Sequence, residues 1–399
     1  MELKEGYKIT EVGVIPFDWD VKSIKEITID MLQGVNTAID IPEYVESGYP
    51  MLKANNIIDG EVNFSTSDHI SIKTYQAYSD RFKIKKDDFL FSNIGARLGT
   101  GSLMKTSTEC SFAWNVMRII PNQKLVTPAF LGCVMNSPAL FKEIKKNESG
   151  SGMGFVPKNV LQNLTFPIPK RLAEQTSIAT ALSHTDALIS SLEKLIAKKR
   201  NIKQGAMQKL LKPKEGWEAK KLGEIAEIKM GQSPLSEFYN TEGVGLPLIQ
   251  GNADIENRRT IVRFFTSSIT KRGQIGDIVM SVRAPVGEVS KATFDCCLGR
   301  GVCAITFNND YLYHYLIYFE KSWAKLSTGS TFDSVNSKQV KELRIPIPKA
   351  QIEQIRIATI LSDMDSELTA LETKLVKYRN IKLGMMQQLL TGKIRLMNC

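Results

Sequence analysis

Six cysteines, three histidines and a few glycine-rich loops are the residues of this 399-residue chain whose types could support chemistry. Cys110, Cys133, Cys296, Cys297, Cys303 and Cys399 include no C-x-x-C pair. The adjacent Cys296 and Cys297 suit neither a tetrahedral metal site nor an ordinary disulfide, so buried, reduced thiols are expected. His69, His184 and His314 lack ligand spacing, and no metal is expected. "GARLGTGS" at 95–102 is glycine-rich but lacks the lysine that a phosphate-cradling loop needs. "GSGMG" at 150–154 has no apolar strand leading directly into it and reads as a surface loop. There is no G-x-S-x-G elbow, no Asp-Pro-Pro-Tyr or Asn-Pro-Pro-Tyr tetrapeptide of an amino-methyltransferase, and no carboxylate cluster typical of a nuclease. These residues do not describe an enzyme.

What the chain repeats says more. "PIPKRLAEQTSIATALSHTDALISSLEKLIAKKRNIKQGAMQKLLKPK" begins at Pro167, and "PIPKAQIEQIRIATILSDMDSELTALETKLVKYRNIKLGMMQQLLTGK" at Pro346. The offset of 179 holds without a gap, and about half the positions are identical. A period this long, present twice, is a duplicated module rather than a solenoid. Pro169 and Pro348 end strand-like runs, and the next glycines are Gly205 and Gly384. Apolar steps of four and three run through Ile178, Leu182, Thr185, Ile189, Leu192 and Ile196, and through Ile357, Leu361, Met364, Leu368, Leu371, Leu375 and Tyr378. That is a heptad seam, which predicts two rods of about 60 Å pairing antiparallel. The near-verbatim ends keep Asn201, Met207, Gln208 and Leu211 in one copy and Asn380, Met386, Gln387 and Leu390 in the other. Exposed Met, Leu and Gln at a helix end are expected to dock another protein.

The net charge of +10 lies on these segments: residues 170–214 carry +7 and residues 349–395 carry +3. The charge run Lys198, Lys199 and Arg200 reads as a solvated face, or as a contact with DNA phosphates or a partner subunit. The N-terminus lacks the apolar region of a signal peptide, and no apolar run approaches the roughly 18–20 residues of a membrane span, so a cytoplasmic protein without a membrane partner is expected.

Between the repeats lie two heads that resemble each other far less. "DWDVKSIKEI" at 18–27 answers "GWEAKKLGEI" at 216–225; "YPMLKANNI" at 49–57 answers "LPLIQGNADI" at 246–255; "KDDFLFS" at 86–92 answers "IGDIVMS" at 275–281. Both read as one mixed α/β fold with short strands and diverged surfaces. Constant rods with differing heads suit a device that presents two different readers.

This layout, with "GYKITEVGVIPFDW" at 6–19, "FPIPKRLAEQTSIATAL" at 166–182, "RIPIPKAQIEQIRIATIL" at 344–361 and "MQQLLTGKIR" at 386–395, resembles the DNA-specificity (S) subunits of type I restriction–modification systems. The first copy departs from that pattern at Lys212-Pro213, where Thr-Gly stands in the second. The resemblance implies an α+β chain: an N-terminal segment (1–18), target recognition domains at 19–165 and 215–345, and conserved spacer helices at 166–214 and 346–399 with internal pseudo-twofold symmetry. It implies a prokaryotic, non-catalytic protein that reads a bipartite, asymmetric sequence in double-stranded DNA. It also implies two modification subunits carrying S-adenosylmethionine, and restriction subunits using ATP and Mg, with no cofactor on this chain.

Asn, Gln, Arg, Lys and Ser match the donors and acceptors on base edges. The candidate readers are therefore Lys53, Asn55, Asn56, Asn93, Arg97, Ser151, Lys158 and Asn159 in the first head, and Gln250, Asn252, Arg283, Ser330, Thr331, Asn336 and Lys338 in the second. Two other readings remain at this point: an S-like assembly adaptor with no sequence preference, and a methyltransferase with an unrecognised motif.

Overall fold

Pro169 and Pro348 end the short strands Thr165–Pro169 and Arg344–Pro348, and the chain then turns into helices Leu172–Leu210 and Gln351–Leu389. The E-Q pair that opens each helix explains the turn. Gln175, wholly buried, donates its amide N–H to the carbonyls of Pro169 and Leu125, both at 2.9 Å, and accepts from the Thr127 N–H at 2.8 Å. Gln354 likewise donates to the Pro348 carbonyl at 2.8 Å. Glu174 and Glu353 each accept from a tryptophan indole at 3.3 Å, from Trp19 and Trp217 respectively. Those tryptophans open the strands Trp19–Ser23 and Trp217–Lys221, which pair antiparallel with the strand leading into each long helix. These contacts come from a computed structural model, which describes residues 5–58, 60–148, 154–325 and 334–396.

By packing, the chain divides into two units, Met1–Ser191 with Leu375–Cys399, and Leu192–Lys374. Each holds one head and a stretch of both long helices. In the first unit Ile178, Ala179 and Leu182 share a core with Met386, Leu389 and Leu390. Farther along, Thr185 Oγ1 lies 3.4 Å from Met385 Sδ, and Asp186 pairs with Lys382 at 2.5 Å. Numbers rise on one helix as they fall on the other, so the pairing is antiparallel. In the second unit Met207 and Leu211 meet Ile357, Ala358 and Leu361, while Lys203 pairs with Asp365. These are the same residues, 179 apart, in exchanged roles. The seam holds: Ile178, Leu182, Leu192, Ile196, Ile357, Leu361 and Leu368 are buried, and the other seam positions are partly so. Two of the three residues of the charge run pair within the chain, Lys199 with Glu367 and Arg200 with Glu372, both at 2.6 Å, while Lys198 is exposed.

The heads share one plan. In the first, an antiparallel sheet runs Gly101–Leu103, Phe89–Ser92, Val116–Pro121, Thr28–Gln33. A second sheet centres on Tyr49–Leu52, paired in parallel with Ser111–Phe112. In the second head Ile278–Ser281, Val302–Thr306 and Glu227–Met230 repeat the first sheet, and Leu246–Ile249 pairs in parallel with Cys296–Leu298. The acidic turns before the central strands also match. Asp88 accepts from the Lys85 N–H at 2.6 Å, and Asp277 from the Gln274 N–H at 2.8 Å.

The first unit is closed by the N-terminal segment. Arg395 reaches Asp18 at 2.9 Å and Glu174 at 2.5 Å, and the Tyr7 hydroxyl donates to the Gly392 carbonyl at 3.0 Å. The Arg395 guanidinium holds the Asp18 carboxyl below its ordinary range.

Candidate nucleic-acid interface

Five segments converge in each unit, joined mainly by backbone hydrogen bonds. In the first they follow Gln33, Leu52, Ser92 and Phe112 and precede Lys158. Val35 accepts from the Trp114 N–H at 2.7 Å, Leu52 from the Ala113 N–H at 2.8 Å, and Asn93 from the Val156 N–H at 3.0 Å. The Asn115 side chain accepts from the Ala54 N–H at 3.2 Å. In the second unit Leu298 accepts from the Gln232 N–H at 2.8 Å, Ile249 from the Gly299 N–H at 2.7 Å, Gly301 from the Val282 N–H at 2.9 Å, and Val282 from the Val335 N–H at 2.8 Å. The close approach explains two glycines that follow matched strands. A Cβ on Gly34 would stand 2.3 Å from the Ala113 carbonyl oxygen, and one on Gly231 2.1 Å from that of Gly299.

Most of the candidate readers fall on these segments, but they divide by burial. Asn55, Arg97, Lys158, Asn159, Arg283, Asn336 and Lys338 are exposed, and Lys53, Gln250 and Asn252 are half-buried. Arg97 and Arg283 make no ion pair with any described residue. Ser151, Ser330 and Thr331 lie outside the described residues.

Two expectations need correction. Asn56 and Asn93 are buried, at 1% and 0% exposure. The Asn56 side chain accepts from the Lys53 N–H at 2.8 Å and donates to the Thr66 hydroxyl at 3.2 Å. Asn93 exchanges two amide hydrogen bonds with Gln33, both at 3.1 Å. Both shape loops because a buried amide must be paired inside the chain. Several of the other readers are also tied. Lys53 bonds to Asp68 and lies 5.3 Å from the Tyr44 ring, and its pKa is raised chiefly by that Asp68 bond. Lys158 lies 3.5 Å from Asp30, and Asn336 caps the helix Ser337–Glu342 by accepting from the Gln339 N–H at 3.0 Å.

The helix ends need a second correction. Met207, Leu211, Met386 and Leu390 are buried in the unit cores, so they are not an exposed apolar patch. Their recurrence follows from packing. The exposed residues are Asn201, Gln208, Asn380 and Gln387. With Gly205 and Gly384 they stand at steps of four and three, on one outward face of each helix, and a Cβ on either glycine would meet nothing within 4 Å.

Sequence reasoning missed Trp114 and Arg300. Each crowns the tight connection that carries the chain from the second sheet of its head to the first, from Phe112 to Val116 and from Leu298 to Val302, and Trp114 is 48% exposed. "FAWN" and "LGRG" share no residue type, so the match emerges only when the strand pairing aligns Phe112 with Leu298. Among the described residues no cluster of His, Cys, Asp and Glu could hold a metal, and no helix is long and apolar enough to cross a membrane. Cys110, Cys133, Cys296, Cys297 and Cys303 are unbridged, and burial pushes the Cys110, Cys133, Cys296 and Cys303 thiols up to about 12.

The model of the type I restriction modification DNA specificity domain matches residues 16–204 and again 214–377. A Methanocaldococcus jannaschii protein provisionally described as the type I restriction enzyme MjaX specificity subunit is 30% identical, over 98% of this chain and 97% of its own. The MjaVIII specificity subunit of the same organism is 24% identical over 99% and 97%. Among solved structures, the type I restriction–modification S subunit from M. genitalium superposes with a TM-score of 0.64 at 16% identity, covering 98% of both chains. A chain from work on assembly and conformational transition of the type I system gives 0.63 at 22% identity, covering 95% of this chain and 99% of that one. At such identities these two likenesses speak for the fold. With both halves matched by one family and with two heads of one plan on paired helices, the chain belongs to the type I restriction–modification DNA specificity family.

Proposed function

We propose that this chain is the non-catalytic, sequence-specific DNA-binding subunit of a type I restriction–modification complex, each unit reading one half of a bipartite, asymmetric target. One observation carries this: two loop clusters built on the same strands and tied by equivalent backbone bonds present different side chains. A conserved scaffold with unlike tips is what two unlike half-sites require. Phosphate contacts by exposed Lys and Arg supply salt-sensitive affinity, and the tips supply base readout. Modification subunits, which carry S-adenosylmethionine and methylate adenine N6, dock on the repeated Asn-Gly-Gln faces. Restriction subunits bring ATP and Mg.

The test is adenine methylation mapping in cells expressing the modification partner, with and without this chain. A bipartite motif with a fixed gap, lost on deletion, is the expected result. Methylation that is unchanged by deletion overturns the reading.

A further inference from the structure

The loop clusters contain a matched pair of exposed residues, Trp114 and Arg300. Trp114 stands between Ala113 and Asn115, whose neighbours Phe112 and Val116 are fully buried. Its backbone is held on both sides: the N–H donates to the Val35 carbonyl at 2.7 Å, and its carbonyl accepts from the Gln33 amide. Gln33 is in turn fixed by Asn93. Arg300 is held as firmly. Its N–H donates to the Ser233 hydroxyl at 3.0 Å, and its glycine neighbours press on Gln250, where a Cβ on Gly301 would stand 2.1 Å from the carbonyl oxygen. Arg300 makes no ion pair with a described residue. A rigid backbone that presents an exposed indole or guanidinium has already lost the freedom that binding would otherwise remove. Both groups also suit base edges. An indole offers an apolar surface to a thymine methyl or a stacked base, and a guanidinium offers two donors to guanine O6 and N7.

We propose that Trp114 and Arg300 occupy the same reader position in the two units, and that each sets the base preference at one position of its own half-site. This rests on the DNA-reading function above. It goes further in assigning one position of difference between the half-sites to a matched pair that the candidate readers did not include.

The experiment is methylation-motif mapping with the full chain and its modification partner, for the native protein, Trp114→Ala, Arg300→Ala and the exchange Trp114→Arg. Trp114→Ala relaxes one position of one half-site, with about 10-fold lost discrimination there, and leaves the other half-site and the gap unchanged. Arg300→Ala does the same in the other half-site. Trp114→Arg replaces the preference rather than abolishing it. Unchanged motifs in both alanine variants overturn the proposal, as does a uniform fall in methylation without a change of motif, which marks phosphate contact. Wild-type chain giving no motif would instead overturn the underlying reading. Both side chains project outside the cores, so Trp114→Phe and Arg300→Lys, with matched thermal melts, serve as folding controls.

Discussion

Arg118 and Asp88 form a buried pair in the first unit, at 4% and 3% exposure, with Nε 2.6 Å from the carboxylate. Burial pushes Asp88 upward while Arg118 and the Lys85 N–H oppose it. Replacing Arg118 with Met leaves a buried carboxylate without its cation. Such losses cost about 3–5 kcal/mol, so the denaturation midpoint should fall sharply, and adding Asp88→Asn should restore part of it. His314 is a second buried group with a consequence. Its Nε2 lies 2.9 Å from the Ser362 hydroxyl, and burial pushes its pKa down to about 4. Facing it are Asp310 on its own helix, Asp365 on the second long helix, Lys203 on the first and Lys291 on a strand. Between about 4 and the ordinary value near 6.5, the unfolded chain binds the proton that the folded chain refuses. Stability therefore falls on acidification through this window, by up to about 1.4 kcal/mol per pH unit. His314→Gln should flatten that slope in denaturant titrations at pH 4.5 to 7; an unchanged slope would refute the assignment. Neither group could be singled out in the sequence. Arg118 sits in an apolar strand and His314 in an aromatic helix, and burial and partner both depend on contacts distant in the chain.

The long helices were the most legible elements, because a seam at steps of four and three needs only local spacing to be recognised. The motifs at their ends were legible as repeats but not as causes. Gln175 and Gln354 fasten strand to helix, and Lys203 and Lys382 bind Asp365 and Asp186 of the facing helix. Packing thus accounts for much of what looked like a docking signature. It does not account for Gly205 and Gly384, where open space lies over a helix interior. Ala at either position should stabilise the isolated chain by about 0.5–1 kcal/mol. If the modification subunit's backbone approaches there, the same variants should weaken its co-purification. A more stable chain with undiminished assembly would leave the glycines without that role.

The whole molecule repeats one design with exchanged helices, and under the function proposed above this bears on the gap between half-sites. A spacer built of two paired helices lengthens cleanly only when both are lengthened together. Seven residues added to one helix would throw Lys203, Asp365 and the buried seam out of register, and the outcome would be lost folding rather than a longer gap. Seven residues added to both helices, after 191 and after 374, where the two packing units divide, keep every pair in step. Each insertion adds about 10.5 Å of helix, equivalent to about three base pairs at 3.4 Å each. A heptad turns a straight helix by only about 20°, whereas three base pairs turn the duplex by about 100° at 10.5 per turn. The doubled insertion should therefore lengthen the gap by up to three base pairs, with weaker methylation because the DNA must twist to meet the second unit, and both half-site sequences should be retained. Mapping the motif of that variant decides it. Altered half-sites with an unchanged gap would mean that the paired helices are scaffold alone and that spacing is set within the heads.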